Sequence, residues 1–348
     1  MRCLNLSLAL SGIPETAVAL MTRSENLPRE ALELQHFSLS QSSLADAIDK
    51  FCPDILFGQT HAAAREMVRP SPARGCLRVI DLHGDMAGEI LESARTPWLR
   101  RVAGSIRQRV SERLHFPLMD GFTVVSQALL LEVQCYGRPV AIVRGGVDLS
   151  LFQPRAARAE EGLVNVIYAG SFRNYQGIDV LLATAKIMRS EPFAFTLIGQ
   201  VESYGAGAAA FRRATDISNV KVIPEQPHGE MPAWLGKGDI LVVPRLQCRS
   251  AEFGFPSKIP EYMAMGKAIV ATDVGDHGRI ISNGVDGVLV RAGCPESLAT
   301  GLRGLREARR RSELGGRARS TAEQNYSWGK IATGVRKFFD SLHPTSYD

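Results

Sequence analysis

Apolar runs of strand length alternate with helix-spaced apolar residues along the C-terminal half of the chain. Val164-Asn-Val-Ile-Tyr-Ala-Gly170 is one such run, and Ile178, Leu181, Leu182, Ala185 and Met188 then recur on one helical face, predicting a β-α unit. The alternation continues through Phe193 to Gly199, Val220 to Pro224, Asp239 to Pro244, Ala268 to Thr272 and Asp286 to Val290. With helical segments between most of these runs, a parallel, doubly wound sheet is expected. The N-terminal half repeats the theme less regularly, in Asp54-Ile-Leu-Phe57, Leu77-Arg-Val-Ile-Asp-Leu82, Gly121-Phe-Thr-Val-Val125 and Val140-Ala-Ile-Val143. Leu4 to Leu10 reads as a first strand, because the run is short for a signal peptide and is broken by Asn5 and Ser7.

The fold class expected is α/β, with two Rossmann-like doubly wound domains facing across a cleft. Gly145-Gly146 and the polar stretch from Gln153 to Gly162 mark the boundary. The domains are then 1–155 and 156–328, followed by a C-terminal helix in 329–348 that would return to the first domain. Open parallel sheets take ligands beyond the carboxyl ends of their strands, so functional residues belong on strand-to-helix loops.

Composition narrows the class. The 348 residues are 45% hydrophobic and 22% charged, which excludes a disordered chain. No run approaches the ~20 apolar residues of a membrane span. The six cysteines lie scattered without a Cys-x-x-Cys pair, as expected of reduced, buried thiols in the cytoplasm. The net charge of +5 is mild, but positive residues cluster from Arg95 to Arg113 and from Arg303 to Arg319. Nucleic-acid binding is not expected, since these stretches lack interleaved aromatics and no recognition module is evident.

The segment Phe255-Pro-Ser-Lys-Ile-Pro-Glu-Tyr-Met-Ala-Met-Gly266 carries the most chemistry. Ser257 is a helix cap, Pro260 falls in the first turn where its missing amide hydrogen costs little, and Gly266 can end the helix. Lys258 and Glu261 then share a face. A lysine at the positive end of a helix suits a diphosphate, and a carboxylate one turn on can accept hydrogen bonds from ribose hydroxyls. The alternative is a surface ion pair. Val79-Ile-Asp-Leu-His-Gly-Asp85 places Asp81, His83 and Asp85 at the end of an apolar strand, where alternate side chains could share a face and bind a metal; His83 could equally be an ordinary structural histidine. No Asp-x-Asp occurs, so a metal clamp on the diphosphate is not indicated, and no cofactor is expected.

Together, Tyr168-Ala-Gly-Ser-Phe-Arg-Asn-Tyr-Gln-Gly-Ile-Asp179, Ile240-Leu-Val-Val-Pro-Arg245, the Phe255–Gly266 segment and Asp286-Gly-Val-Leu-Val290 resemble the GT-B-type retaining glycosyltransferases (group 1, family four). The resemblance implies that Glu261 binds the ribose and takes part in catalysis, that Lys258 binds the phosphates, and that the Val274-Gly275-Asp276 turn lies near the donor sugar. It implies that Ile223 to Glu225 lie near the base and that His83 touches the donor sugar or diphosphate. It also puts Gly12, in Ser11-Gly-Ile-Pro14, in a turn approaching the phosphates, although a plain turn fits as well. The chain departs from the family at Ser171 and Gln176, where an arginine and a lysine are common, and at Phe253, where a second glutamate is common; Glu252 is adjacent. Arg173, Arg245 and Arg249 are candidates for the missing cation, with Arg173 first because it occupies the strand-to-helix loop.

The expected function is transfer of a sugar from a nucleotide-diphosphate donor to an acceptor hydroxyl, with retention, by a hexosyl- or related glycosyltransferase making cell-surface polysaccharide or glycolipid. Alternatives are a nucleotide-sugar epimerase on the same fold and a catalytically silent sugar-nucleotide-binding subunit. The partners implied are the nucleotide-sugar donor and a carbohydrate or lipid-linked acceptor. Trp98, Leu99, Val102, Ile106 and Val110, among six arginines, suggest a basic amphipathic helix over 95–114 that contacts anionic lipid on the inner face of the membrane. The alternative is a surface helix whose apolar stripe faces the core.

Overall fold

The computed structural model describes residues 2–22, 34–38, 43–68, 76–92, 97–155, 162–199, 214 and 216–342. The chain forms two compact units, one of residues 1–145 with 328–348 and the other of residues 146–327. The division falls between Gly145 and Gly146, ahead of the polar stretch 153–162, most of which lies outside the described residues.

The second unit carries six parallel strands: β7 (Val164–Ala169), β8 (Phe193–Gly199), β9 (Val220–Pro224), β10 (Ile240–Val243), β11 (Ala268–Thr272) and β12 (Val288–Val290). Their order is β12-β11-β10-β7-β8-β9, so the winding direction reverses between β7 and β10. Side chains alternate across this sheet and both faces are covered. Val166, Tyr168, Phe195, Leu197, Val242 and Val270 join one core, while Ile167, Ala169, Ile198, Val243, Ile269 and Ala271 join another. This is why the strands read as continuous apolar runs.

In the first unit, β3 (Ile55–Gln59), β4 (Leu77–Leu82), β5 (Gly121–Val124) and β6 (Val140–Ile142) form a parallel sheet in sequence order. A separate parallel pair, β1 (Ala19–Thr22) and β2 (Gln35–Ser38), has no counterpart in the sequence reading. Leu4 to Leu10 does not form the expected strand: Arg2–Ser11 is a helix. Leu6 and Leu10, four residues apart, pack with Ala332 and Val335 of the C-terminal Trp328–Leu342 helix. The alternating leucines fit a strand by period but also supply an i, i+4 pair, and leucine has high helix propensity. Gly12 therefore follows a helix. It is exposed, and a side chain there would meet only ordinary contacts.

The cysteines are corrected too. All six are free, but none is buried, and Cys52 and Cys135 are exposed. Cys52 ends the Leu44–Phe51 helix in the left-handed region, its amide hydrogen donated to the Ile48 carbonyl oxygen. Among the described residues, no helix is long and apolar enough to cross a membrane.

Candidate functional site

The switch point between β7 and β10 gathers the site of the second unit. Beyond β7, the Lys258–Ala264 helix is fastened to the strand by Tyr262, whose hydroxyl accepts the Ala169 amide hydrogen at 3.0 Å. Lys258 then reaches over the strand end. Its ammonium donates to the Tyr168 hydroxyl at 2.9 Å and the Gln176 carbonyl at 3.0 Å, and lies 4.3 Å from the centre of the Tyr168 ring. The Tyr168 hydroxyl donates its hydrogen bond to the Ser171 carbonyl oxygen at 2.7 Å, which leaves its oxygen free to accept. Gly170, with φ of +142°, closes the turn, and any Cβ there would overlap Cε and Nζ of Lys258.

These contacts replace the surface ion pair. Lys258 is engaged by neutral groups, and burial, with Arg245 nearby, holds its pKa well below the ordinary lysine range. Burial pushes Glu261 up to about 7, with Lys258 only partly offsetting it. Ser257 does not cap the helix: it has helical backbone angles and its side chain makes no capping bond. Gln176, buried and set where the family often has a cation, serves instead as the acceptor for Lys258.

Gly275 has φ of +54°, and a Cβ there would lie 2.7 Å from the Ala251 carbonyl oxygen, so the Val274–Asp276 turn rests directly on the Arg249–Phe253 helix. Glycine at this position is a packing requirement. Phe253 is buried, with the Arg249 guanidinium 4.2 Å over its ring, while Glu252 is held by a hydrogen bond from the Gln247 amide. Arg173 is exposed; its carbonyl oxygen accepts the Gln176 amide hydrogen. Arg245, by contrast, is buried at the end of β10. His277, fully buried, uses Nδ1 to donate to the Thr272 carbonyl oxygen at 2.6 Å, and burial lowers its pKa to about 4.

In the first unit, His83 follows β4 and is one-third exposed. Its Nε2 lies 2.7 Å from Asp81 Oδ2, and Asp81 is completely buried. Arg2 binds both Asp81 oxygens and the carbonyl oxygens of Val143 and Arg144, and Thr123 donates to Asp81 at 2.7 Å. Burial alone would raise the Asp81 pKa, but the His83 hydrogen bond and the Arg2 charge overcome it and bring it down to about 2. Asp85 turns instead to Arg109 at 2.8 Å. The shared metal face is therefore not formed, and among the described residues no group of three His, Cys, Asp or Glu side chains could hold an ion.

Sequence reasoning missed Arg2, Tyr168, Tyr262 and His277. Arg2 precedes the presumed Leu4–Leu10 strand and carried no signal of its own, and the two tyrosines read as core because only their hydroxyls take part. His277 carried no signal beyond following Gly275-Asp276.

The Trp98–His115 helix settles the question of its stripe. Trp98, Leu99, Ile106, Val110 and Leu114 are exposed, Val102 is half-buried, and Ser105 and Glu112 are the buried residues. Arg109 fastens this polar inner side by binding Asp85, Glu112 and Glu132. The apolar stripe does not face the core; positions 95 and 96 of the expected span lie outside the described residues.

Comparison with known proteins identifies this architecture. The model of the family Glycosyl transferases group 1 matches residues 164–307, all within the second unit. A D-inositol 3-phosphate glycosyltransferase of Paenarthrobacter aurescens is 28% identical over 204 residues, 54% of this chain and 48% of that protein. The chain spans about half the length of the curated relatives it matches. Sucrose-phosphate synthase from Thermosynechococcus elongatus superposes with a TM-score of 0.76 at 18% identity, over 97% of this chain and 91% of that one. HepE from Anabaena, solved in complex with UDP and glucose, gives 0.70 at 14% identity, over 98% and 95%. The structural likeness is one of fold, and the fold is GT-B. The chain has the GT-B fold, and over residues 164–307, most of its second unit, it is similar to the group 1 glycosyltransferases.

Proposed function

We propose that the protein transfers a sugar from a nucleoside-diphosphate sugar to an acceptor hydroxyl, with retention of configuration. The observation that carries this reading is the Lys258 ammonium, drawn over Gly170 at the switch point and bound only by neutral oxygens. A buried cation hydrogen-bonded by neutral groups stabilises the charge that develops on a departing diphosphate, because the surroundings are already desolvated. Glu261, one turn along the helix with its pKa raised to about 7 by burial, is suited to the ribose hydroxyls, whose hydrogen bonds favour its ionised form. That HepE was solved with UDP and glucose supports a nucleoside-diphosphate hexose as donor.

His83 is assigned to the sugar or the reacting centre, with Asp81 and Arg2 positioning its ring. The outward stripe of the Trp98–His115 helix, bordered by Arg100, Arg107 and Arg113, fits contact with an anionic membrane surface and a lipid-linked acceptor. A role in cell-surface polysaccharide or glycolipid synthesis follows from such an acceptor. Thermal-shift screening against nucleoside-diphosphate sugars tests the donor, because a ligand that binds only the folded chain must raise its Tm. Stabilisation by none of them would refute the reading.

One observation favours a second reading. Phe253 fills the position where the family often has a glutamate, and its ring is buried beneath Arg249. A silent binding subunit would bind donor without turnover. Acceptor-dependent release of nucleoside diphosphate selects the transferase, and donor binding without release under any acceptor selects the silent subunit.

A further inference from the structure

Arg245 ends β10 on one side of the switch point, opposite the turn that leaves β7. Its side chain is only 7% exposed, yet among the described residues the Nε and Nη1 hydrogens meet no acceptor. Buried charged donors are almost always paired, so these open donors point to a ligand. The groups that bear on the guanidinium electrostatically are Tyr175, Tyr168, Cys248, Lys258 and His277, none of them a carboxylate. The Tyr175 ring lies 5.7 Å away, and the Lys258 ammonium is already occupied by Tyr168 and Gln176. Among the described residues, His277 Nε2 is likewise buried and without a partner. Among the described residues, two cationic side chains thus converge beyond the strand ends with no carboxylate bonded to either; Glu261 acts on Lys258 only through its charge. An anion offering several oxygens completes the arrangement, since a guanidinium presents two parallel donors where an ammonium is a point charge.

We propose that Arg245, and not Arg173, is the second cation of the donor site, its Nε and Nη1 hydrogens binding oxygens of the nucleoside diphosphate beside Lys258. This rests on the donor-site reading above. It explains how the site dispenses with the cations often found at the positions of Ser171 and Gln176: the charge comes from the end of β10 instead of the loop after β7.

Titration calorimetry with UDP, ADP, GDP and TDP, together with the parent nucleosides by ligand-observed NMR, tests the assignment. The wild-type chain is expected to bind one of the four diphosphates. Arg245→Gln should weaken that diphosphate about 10- to 100-fold, as for loss of charge-assisted hydrogen bonds, and leave the parent nucleoside within about twofold. Arg173→Gln should change neither. The ligand-free Arg245→Gln chain should melt no lower than wild type, because an uncompensated buried charge has been removed, whereas a purely structural arginine would lower the Tm. Should that variant not fold, Arg245→Lys keeps the charge and loses the fork, and a loss of about threefold or more is expected. Wild-type diphosphate affinity in Arg245→Gln, or in Arg245→Lys where the first does not fold, overturns the assignment and leaves the donor site standing. Failure of the wild-type chain to bind any of the four overturns both.

Discussion

Glu261 ties stability and ligand binding together through one proton. Burial raises its pKa to about 7, so the folded chain holds a proton there that the unfolded chain has released above its ordinary carboxylate pKa. The resulting stabilisation is complete in acid and is lost as the pH rises through 7. Ribose hydroxyls donating to the carboxylate favour its ionised form, so nucleotide affinity should rise over the same interval. Calorimetry at pH 5.5 and 8 is expected to show tighter binding at the higher pH. In Glu261→Gln, affinity should be lower and should rise less between these two pH values; an unaltered profile would remove Glu261 from the site. Lys258 has the opposite bearing on stability, because its burial disfavours the charge that binding uses. Lys258→Met should raise the ligand-free Tm while weakening diphosphate binding by about tenfold or more. Gly170→Ala tests the same contact from the backbone. The new Cβ overlaps the Lys258 side chain at a left-handed position, so both binding and stability should fall, by about 1–3 kcal/mol in stability from backbone strain alone, measured by denaturant unfolding.

At the scale of elements, the Trp98–His115 helix is turned outward. Its inner side is held by the Arg109 ion pairs, and its apolar residues face solvent, with Trp98 63% and Leu99 65% exposed. Replacing these residues by polar ones removes no core packing. Leu99→Ser with Ile106→Ser is expected to reduce partitioning onto phosphatidylserine vesicles by about tenfold or more, with a Tm close to wild type; Trp98 fluorescence reports the binding. Retained partitioning would refute a membrane role for this face. The apolar spacing was legible in the sequence, but a helical pattern specifies a stripe without saying what lies beneath it. The Arg2–Ser11 helix teaches a related point. Leucines at positions 4, 6, 8 and 10 satisfy period two and also contain a helical pair, and the choice was made by Ala332 and Val335, more than 300 residues away.

At the scale of the whole molecule, the chain leaves its first unit at Gly145 and returns to it at Trp328. Removing residues 328–348 should therefore uncover Leu6, Leu10 and Val143 and destabilise the first unit while sparing the second. The expected result is one melting transition weakened or lost, with nucleotide binding retained; a single unchanged transition would contradict the division.

The sequence alone determined the alternation of strands and helices, the parallel sheet of the second unit, and the Lys258 and Glu261 pair one turn apart, because hydrophobic period and local spacing are properties of short stretches. Only the tertiary structure decided that Lys258 meets Tyr168 and Gln176, that Arg245 is buried with open donors while Arg173 lies in solvent, and that Arg2 fastens Asp81 beside His83. Each of these depends on groups distant in the chain. Whether a charged side chain is partnered, desolvated or free is fixed by what the fold brings beside it, and no spacing along the chain encodes that.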